Sequence, residues 1–145
     1  MRISFTVRGE PQSKARPRFR KVGEKVSTYT QKTTVEYENA VCAAYERQCK
    51  NQMLDGAVRA WITAYFPIPK SDSRVKRAAK LAGEIRHVQK PDGDNIAKII
   101  LDSLNGHAYK DDSRVCELSV RKLYSENPRV VVTLEEIIPT LKIEI

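Results

Sequence analysis

The chain is poor in the residues that hold soft metals or staple small folds. It has three cysteines and two histidines in 145 residues. Cys42, Cys49 and Cys116 show no CxxC or other ligand spacing, and an odd count supplies no disulfide framework. If Cys42 and Cys49 share a helix, they lie about 10 Å apart along its axis, too far to bridge. The thiols therefore read as reduced. His87 and His107 lack partners at zinc spacing and read as surface or structural residues. No apolar run approaches the length of a membrane span. Arg2, Arg8 and Glu10 interrupt the apolar stretch near Met1, which excludes a signal-peptide pattern. There is no internal repeat and no low-complexity segment. The expectation is a cytoplasmic protein that associates with no membrane and uses no small-molecule cofactor.

Acidic residues are also in deficit, with 18 Asp and Glu against 26 Lys and Arg, for a formal net charge of +8. That excess favours a polyanionic partner, nucleic acid first. Hydrophobic content of 41% and charged content of 30% are globular values, and the length suits one domain over residues 1–145.

Ile3, Phe5 and Val7 alternate with polar residues and predict a strand. A basic, proline-containing stretch follows: Lys14, Arg16, Pro17, Arg18, Arg20, Lys21. A second extended piece is expected around Val26 to Tyr29. Thr33 with Glu36 forms a capping-box pattern, predicting a helix to about Gln52 with Tyr37, Val41, Ala44 and Tyr45 on one face. Ala57 to Phe66 reads as a strand closed by Pro67 and Pro69. The segment from Ser71 to Gly83, with Lys76, Arg77 and Lys80, reads as a short exposed helix or a loop. Val115 to Tyr124 and Arg129 to Ile138 read as a hairpin around Glu126-Asn-Pro128.

The acids that exist are clustered. Lys90-Pro-Asp-Gly-Asp-Asn-Ile-Ala-Lys-Ile-Ile-Leu-Asp-Ser-Leu-Asn-Gly106 places Asp92 and Asp94 at the start of a predicted helix, with Gly106 as its stop. Asp111 and Asp112 follow. At about 100° per residue, Asp94, Asn95, Lys98 and Asp102 fall on one polar arc, and Ile96, Ile99, Ile100, Leu101 and Leu104 fill the rest. A single Asp before a helix is commonly a cap. Two acids two residues apart repel, and Mg²⁺ is a hard cation that would offset them. An EF-hand is excluded because its required glycine position holds Ala97. Lys98 reads either as an i,i+4 partner of Asp94 or as a cation aimed at a phosphate. Asp102, one turn further, would orient Lys98.

The run from Lys90 to Gly106, followed by Lys110-Asp-Asp-Ser-Arg-Val115, resembles the signature of the RusA family of Holliday-junction resolvases. Gly9-Glu-Pro-Gln-Ser-Lys-Ala-Arg-Pro-Arg18 resembles the early basic segment of many members. The resemblance implies an α+β fold, a small mixed or antiparallel sheet with two main helices, and a homodimer. It implies a Mg²⁺-dependent endonuclease, with Mn²⁺ as the alternative ion, that nicks four-way junction DNA symmetrically. By this resemblance Asp92, Asp94 and Asp112 match the metal-binding carboxylates, Asp111 ranks second for the third ligand, and Lys98 matches the essential lysine. Lys14, Arg16, Arg18, Arg20, Lys76 and Arg77 are expected to contact backbone phosphates. Two other readings stand beside it: a general branched-DNA or flap nuclease, and a non-catalytic phage DNA-binding protein whose acidic cluster is structural.

Overall fold

The computed structural model describes residues 1–14, 18–29 and 31–141, with side chains at 20–26 in the second of these stretches. Strand β1 (Arg2–Arg8) is followed by the hairpin β2 (Arg18–Val22) and β3 (Lys25–Tyr29), then helix α1 (Lys32–Cys49) and strand β4 (Val58–Phe66). Helices α2 (Arg74–Leu81) and α3 (Gly93–Ser103) come next, then a 3₁₀ turn (Asp112–Arg114) and strands β5 (Val115–Tyr124) and β6 (Arg129–Glu136). Among the described residues the fold is mixed α and β with three helices, and the basic segment after Pro69, read as a short exposed helix or a loop, forms the short helix α2. Ser73 caps that helix by accepting from the Lys76 N–H at 3.2 Å.

The main sheet has the order β1-β6-β4-β5. Strands β1 and β4 both pair antiparallel with β6, whereas β5 pairs parallel with β4. The expected hairpin of β5 with β6 does not form, since β4 lies between them. The burial patterns explain the arrangement. In β6 Val130, Val132 and Leu134 are fully buried, as a central strand requires, while β5 is largely exposed and carries Arg121 and Lys122. Charged side chains suit an edge.

Alternation along β4 sends Val58, Ala60, Ile62, Ala64 and Phe66 to one buried face. There they meet Phe5 and Val7 of β1, Val41, Ala44 and Tyr45 of α1, and Ile96, Ile99 and Ile100 of α3. Phe5 and Tyr45 pack edge to face with centroids 5.2 Å apart. The opposite face is polar, with Arg59 paired to Glu117 and Glu135, Arg2 paired to Glu135, and both arginines over Trp61.

Helix α1 starts at Gln31 as N-cap without a side-chain capping bond, so Thr33 lies inside the first turn and is not the cap its spacing implied. The helix stops at Cys49, three residues short of Gln52, because Lys50 and Asn51 adopt left-handed backbone at φ +53°. All three cysteines are free. Among the described residues no helix is long and apolar enough to cross a membrane.

Candidate active site

Helix α3 carries the acidic motif on the face its angular pattern predicts. Ile96, Ala97, Ile99, Ile100 and Leu101 are buried, while Asp94 and Lys98 are exposed and Asn95 and Asp102 half-buried. The stripe runs from Asp94 through Lys98 to Asp102, about 12 Å along the axis at 1.5 Å per residue. Beyond Ser103 the chain turns through Gly106, whose φ of +78° suits glycine. The turn brings Tyr109 back beneath the helix, where its buried hydroxyl donates to the Leu101 carbonyl at 2.6 Å. Burial, then the charges of Asp112, Asp102 and Asp111, drive the Tyr109 phenol far above its usual range. It therefore stays protonated and holds the loop as a neutral donor.

That loop delivers Asp111 and Asp112 to the C-terminal end of the stripe. Asp111 accepts from the Ser113 N–H at 3.0 Å, and so caps the 3₁₀ turn. Hydrogen bonds from Ser113 hold its carboxyl below the usual value. Asp112 instead lies against the carboxyl of Asp102. That contact, followed by burial and the Asp102 charge, raises the Asp112 pKa. Burial pushes Asp102 upward, but the hydrogen bond from Lys14 and the contact with Asp112 outweigh it, and Asp102 lies below its usual value.

Lys14 completes this end of the site. Its ammonium donates to Asp102 Oδ2 at 2.8 Å, and the two side chains are 28% and 21% exposed. The hydrogen bond to Asp102 raises the Lys14 pKa despite partial burial, so Lys14 is a cation. The expected orientation of Lys98 by Asp102 is not built as a contact. Lys98 is exposed, acts on Asp102 through its charge, and takes part in no ion pair among the described residues, Asp94 included. It is a free ammonium at mid-stripe.

The N-terminal end of the stripe holds the other two acids. Asp92 occupies the N-cap position, yet its carboxylate makes no capping bond. It lies 3.2 Å from the Lys90 ammonium, with 48% of its side chain exposed. Asp94 accepts from the adjacent Asn95 N–H at 2.9 Å. Negative charge in the first turn is favoured by the helix dipole. Glu10, Pro11, Gln12 and Ser13 lie across from Lys90, Asp92 and Asn95, and together they bound a cleft of about 340 Å³. The segment at residues 10–14 therefore lies along the stripe, from Asp92 to Asp102.

The structure brings together Asp112, Asp102 and Lys14, and leaves Asp92 and Asp94 at the far end of α3. No group of three or more His, Cys, Asp or Glu side chains among the described residues is arranged to hold a metal. Asp102, read from the sequence as a residue that orients Lys98, instead contacts Lys14 and Asp112. Its signal was its position on the stripe, two turns after Asp94.

The remaining candidates scatter. Arg16 and the side chain of Arg18 lie outside the described residues. Arg20 is exposed on β2, and Lys76 is exposed on α2. Arg77 lies 3.7 Å from Glu126. Lys80, in the segment read as exposed, is instead buried, because it pairs with Asp72 at 2.5 Å and sits 4.6 Å from the Tyr124 ring centroid. His87 stacks on Phe66 with centroids 3.6 Å apart and meets Tyr124 edge-on. His107 lies in the turn after α3.

The acids, lysines and basic N-terminal segment suit hydrolysis of a phosphodiester, and comparison with known proteins agrees. The chain is 37% identical over 137 residues to the uncharacterized protein YqaN of Bacillus subtilis (strain 168), covering 93% of this chain and 96% of that protein. Residues 8–135 match the family model described as endodeoxyribonuclease RusA, a span that takes in the acidic stripe, Lys14 and the 3₁₀ turn, and the chain belongs to that family.

Proposed function

We propose that this chain is a divalent-metal-dependent endodeoxyribonuclease that resolves four-way DNA junctions by paired, symmetric nicks, acting as a homodimer in recombination and repair. Family membership and the +8 net charge support the reading. The observation that carries it is the α3 stripe. There an uncommitted lysine, Lys98, stands between two acidic ends, and neither Asp92 nor Asp112 is used up by a cap.

Hard carboxylate oxygens are the donors that Mg²⁺ and Mn²⁺ take. Two carboxyls set against each other, as Asp102 and Asp112 are, make an arrangement that a divalent cation relieves. The donor atoms suit such an ion, but among the described residues Asp92 and Asp94 stand at the other end of α3 from Asp112, so binding one ion requires the two ends of the stripe to be drawn together. We assign Asp92, Asp94 and Asp112 as its ligands, with Asp111 second because the Ser113 N–H already engages it. A bound ion would polarise the scissile phosphate and activate water.

The chain's own side chains supply the rest. Lys98 faces the phosphate and stabilises charge that builds up there. Asp102 positions Asp112 and Lys14. Because Lys14 lies on the stripe, its ammonium serves the reacting region, whereas Arg16, Arg18, Arg20, Lys76 and Arg77 contact backbone phosphates further out. A two-fold dimer would present two such sites to a junction of matching symmetry.

The test is cleavage of a synthetic mobile four-way junction in Mg²⁺, with cut positions mapped and flap and linear duplex run alongside. Paired cuts with 5′-phosphate ends are expected. Equal rates on flaps would favour a general branched-DNA nuclease, and binding without cutting under every divalent metal would reject the enzyme reading. A monomer at micromolar concentration in sedimentation would reject the paired mechanism.

A further inference from the structure

A second basic feature lies at the other edge of the sheet. Arg8, Arg47 and Arg129, with Gln48, Ser125 and Asn127, line an open cavity of about 1050 Å³, and no acidic residue lines it. Arg8 and Arg129 are directly opposite in the antiparallel register of β1 and β6, a like-charge pairing that destabilises a sheet. None of the three arginines takes part in an ion pair among the described residues. Elsewhere on this sheet Arg2 and Arg59 are neutralised by Glu135 and Glu117. Three arginines thus line one cavity with no acidic partner among the described residues.

The cavity is built rather than frayed. The Arg129 Nη1 donates to the Ser125 hydroxyl at 3.1 Å and to the Asn127 carbonyl at 2.8 Å, and its guanidinium lies 3.9 Å from the Tyr65 ring centroid. Gln48 clamps α1 to the β1 edge, accepting from the Thr6 N–H at 2.9 Å and donating to the Thr6 carbonyl at 2.7 Å. That clamp closes the edge to strand addition at Thr6 and fixes Arg47 beside Arg8. Arg8 and Arg47 themselves are exposed.

We propose that Arg8, Arg47 and Arg129 form a DNA-backbone site that holds a duplex segment outside the region being cut. Guanidinium forks match phosphate oxygens. An open groove with several separated cations suits successive phosphates of one backbone. The site lies at the β1 edge, whereas α3 packs near β5. Three strand spacings separate these edges, about 14 Å. The identity of the polyanion rests on the nuclease reading above; the lining of one cavity by three arginines does not.

The experiment measures junction binding by fluorescence anisotropy, without divalent metal, from about 50 to 200 mM salt. Each phosphate contact adds about 0.9 to the slope of log affinity against log salt. The Arg8→Gln, Arg47→Gln double variant should lose about 2 from that slope and bind about tenfold more weakly. Arg8→Lys with Arg47→Lys should restore the slope, because charge is kept. Wild-type affinity and slope in the glutamine variant would overturn the site, as would a slope that stays low in the lysine variant. Circular dichroism confirms that both variants fold. A wild-type chain that binds junctions with this arginine dependence but never cuts them would reject the nuclease reading and leave the site standing. Normal cutting with an unchanged slope would do the reverse.

Discussion

The Lys14 ammonium donates to the Asp102 carboxylate at 2.8 Å across 88 residues of sequence. Asp112 lies against the same carboxyl. Three separate stretches of chain, the basic N-terminal segment, α3 and the 3₁₀ turn, thus converge on one side chain.

Replacing Lys14 by Met should uncouple this convergence with little harm to the fold. The pair is partly exposed, so the loss of stability should be about 1 kcal/mol. Junction nicking should fall about 10–100-fold, the usual effect of removing a partner that orients a metal-site carboxylate. Urea melts and initial rates give both numbers, and an unchanged rate would make Lys14 merely structural.

Asp112→Asn and Asp94→Asn should abolish nicking while leaving junction binding in gel shifts intact. Asp112 raises the free energy of the fold because Asp102 sits against it. Its Asn variant should therefore melt at the wild-type temperature or above it, gaining up to about 1 kcal/mol. Loss of stability together with activity would mean that the pair serves packing.

Tyr109→Phe tests the loop that delivers Asp112. The Leu101 carbonyl loses the buried phenol but keeps the Leu104 N–H at 3.3 Å. The cost should sit at the low end for a buried hydrogen bond, about 1 kcal/mol by chemical denaturation. A cost above about 3 kcal/mol would require a role beyond this bond.

His87 predicts a dependence of stability on pH. Burial against Phe66, then the charges of Lys122 on β5 and Lys80 on α2, lower its pKa in the folded chain. The unfolded chain therefore binds the proton more readily, and stability is lost as pH falls below about 6.5. Above that value the contribution is fully present. Thermal melts should fall through this window in wild type and fall less in His87→Phe, which keeps the stack and removes the titration. Equal slopes in the two proteins would remove His87 from the account.

Helix α3 was legible because its 3.6-residue pattern is strong and local, and β1 and β4 because their alternation is clean. The pairing of β6 was not. The short, Pro-containing link from Ser125 to Pro128 signals a hairpin, while the actual partners of β6 lie far away in β1 and β4. A fully apolar alternation in β6, beside the charges of β5, was the available hint. The start of α1 was misread because Thr33 and Glu36 imitate a capping box. At the site, the stripe could be read from angles within one helix. The contact of Asp102 with Lys14 depends on how a segment 88 residues away crosses the helix, and no local period encodes that.

The position of β6 has a consequence for when the candidate site can assemble. It is the last strand of the sheet in the sequence, yet it joins β1 to β4. A nascent chain that has not reached Arg129 has no continuous sheet, and β1 reaches α3 only through α1, which packs on both. The acids, Lys98 and Lys14 are all translated by then, but scattered. Assembly of the proposed site is thus expected to wait for synthesis of β6, the last strand among the described residues.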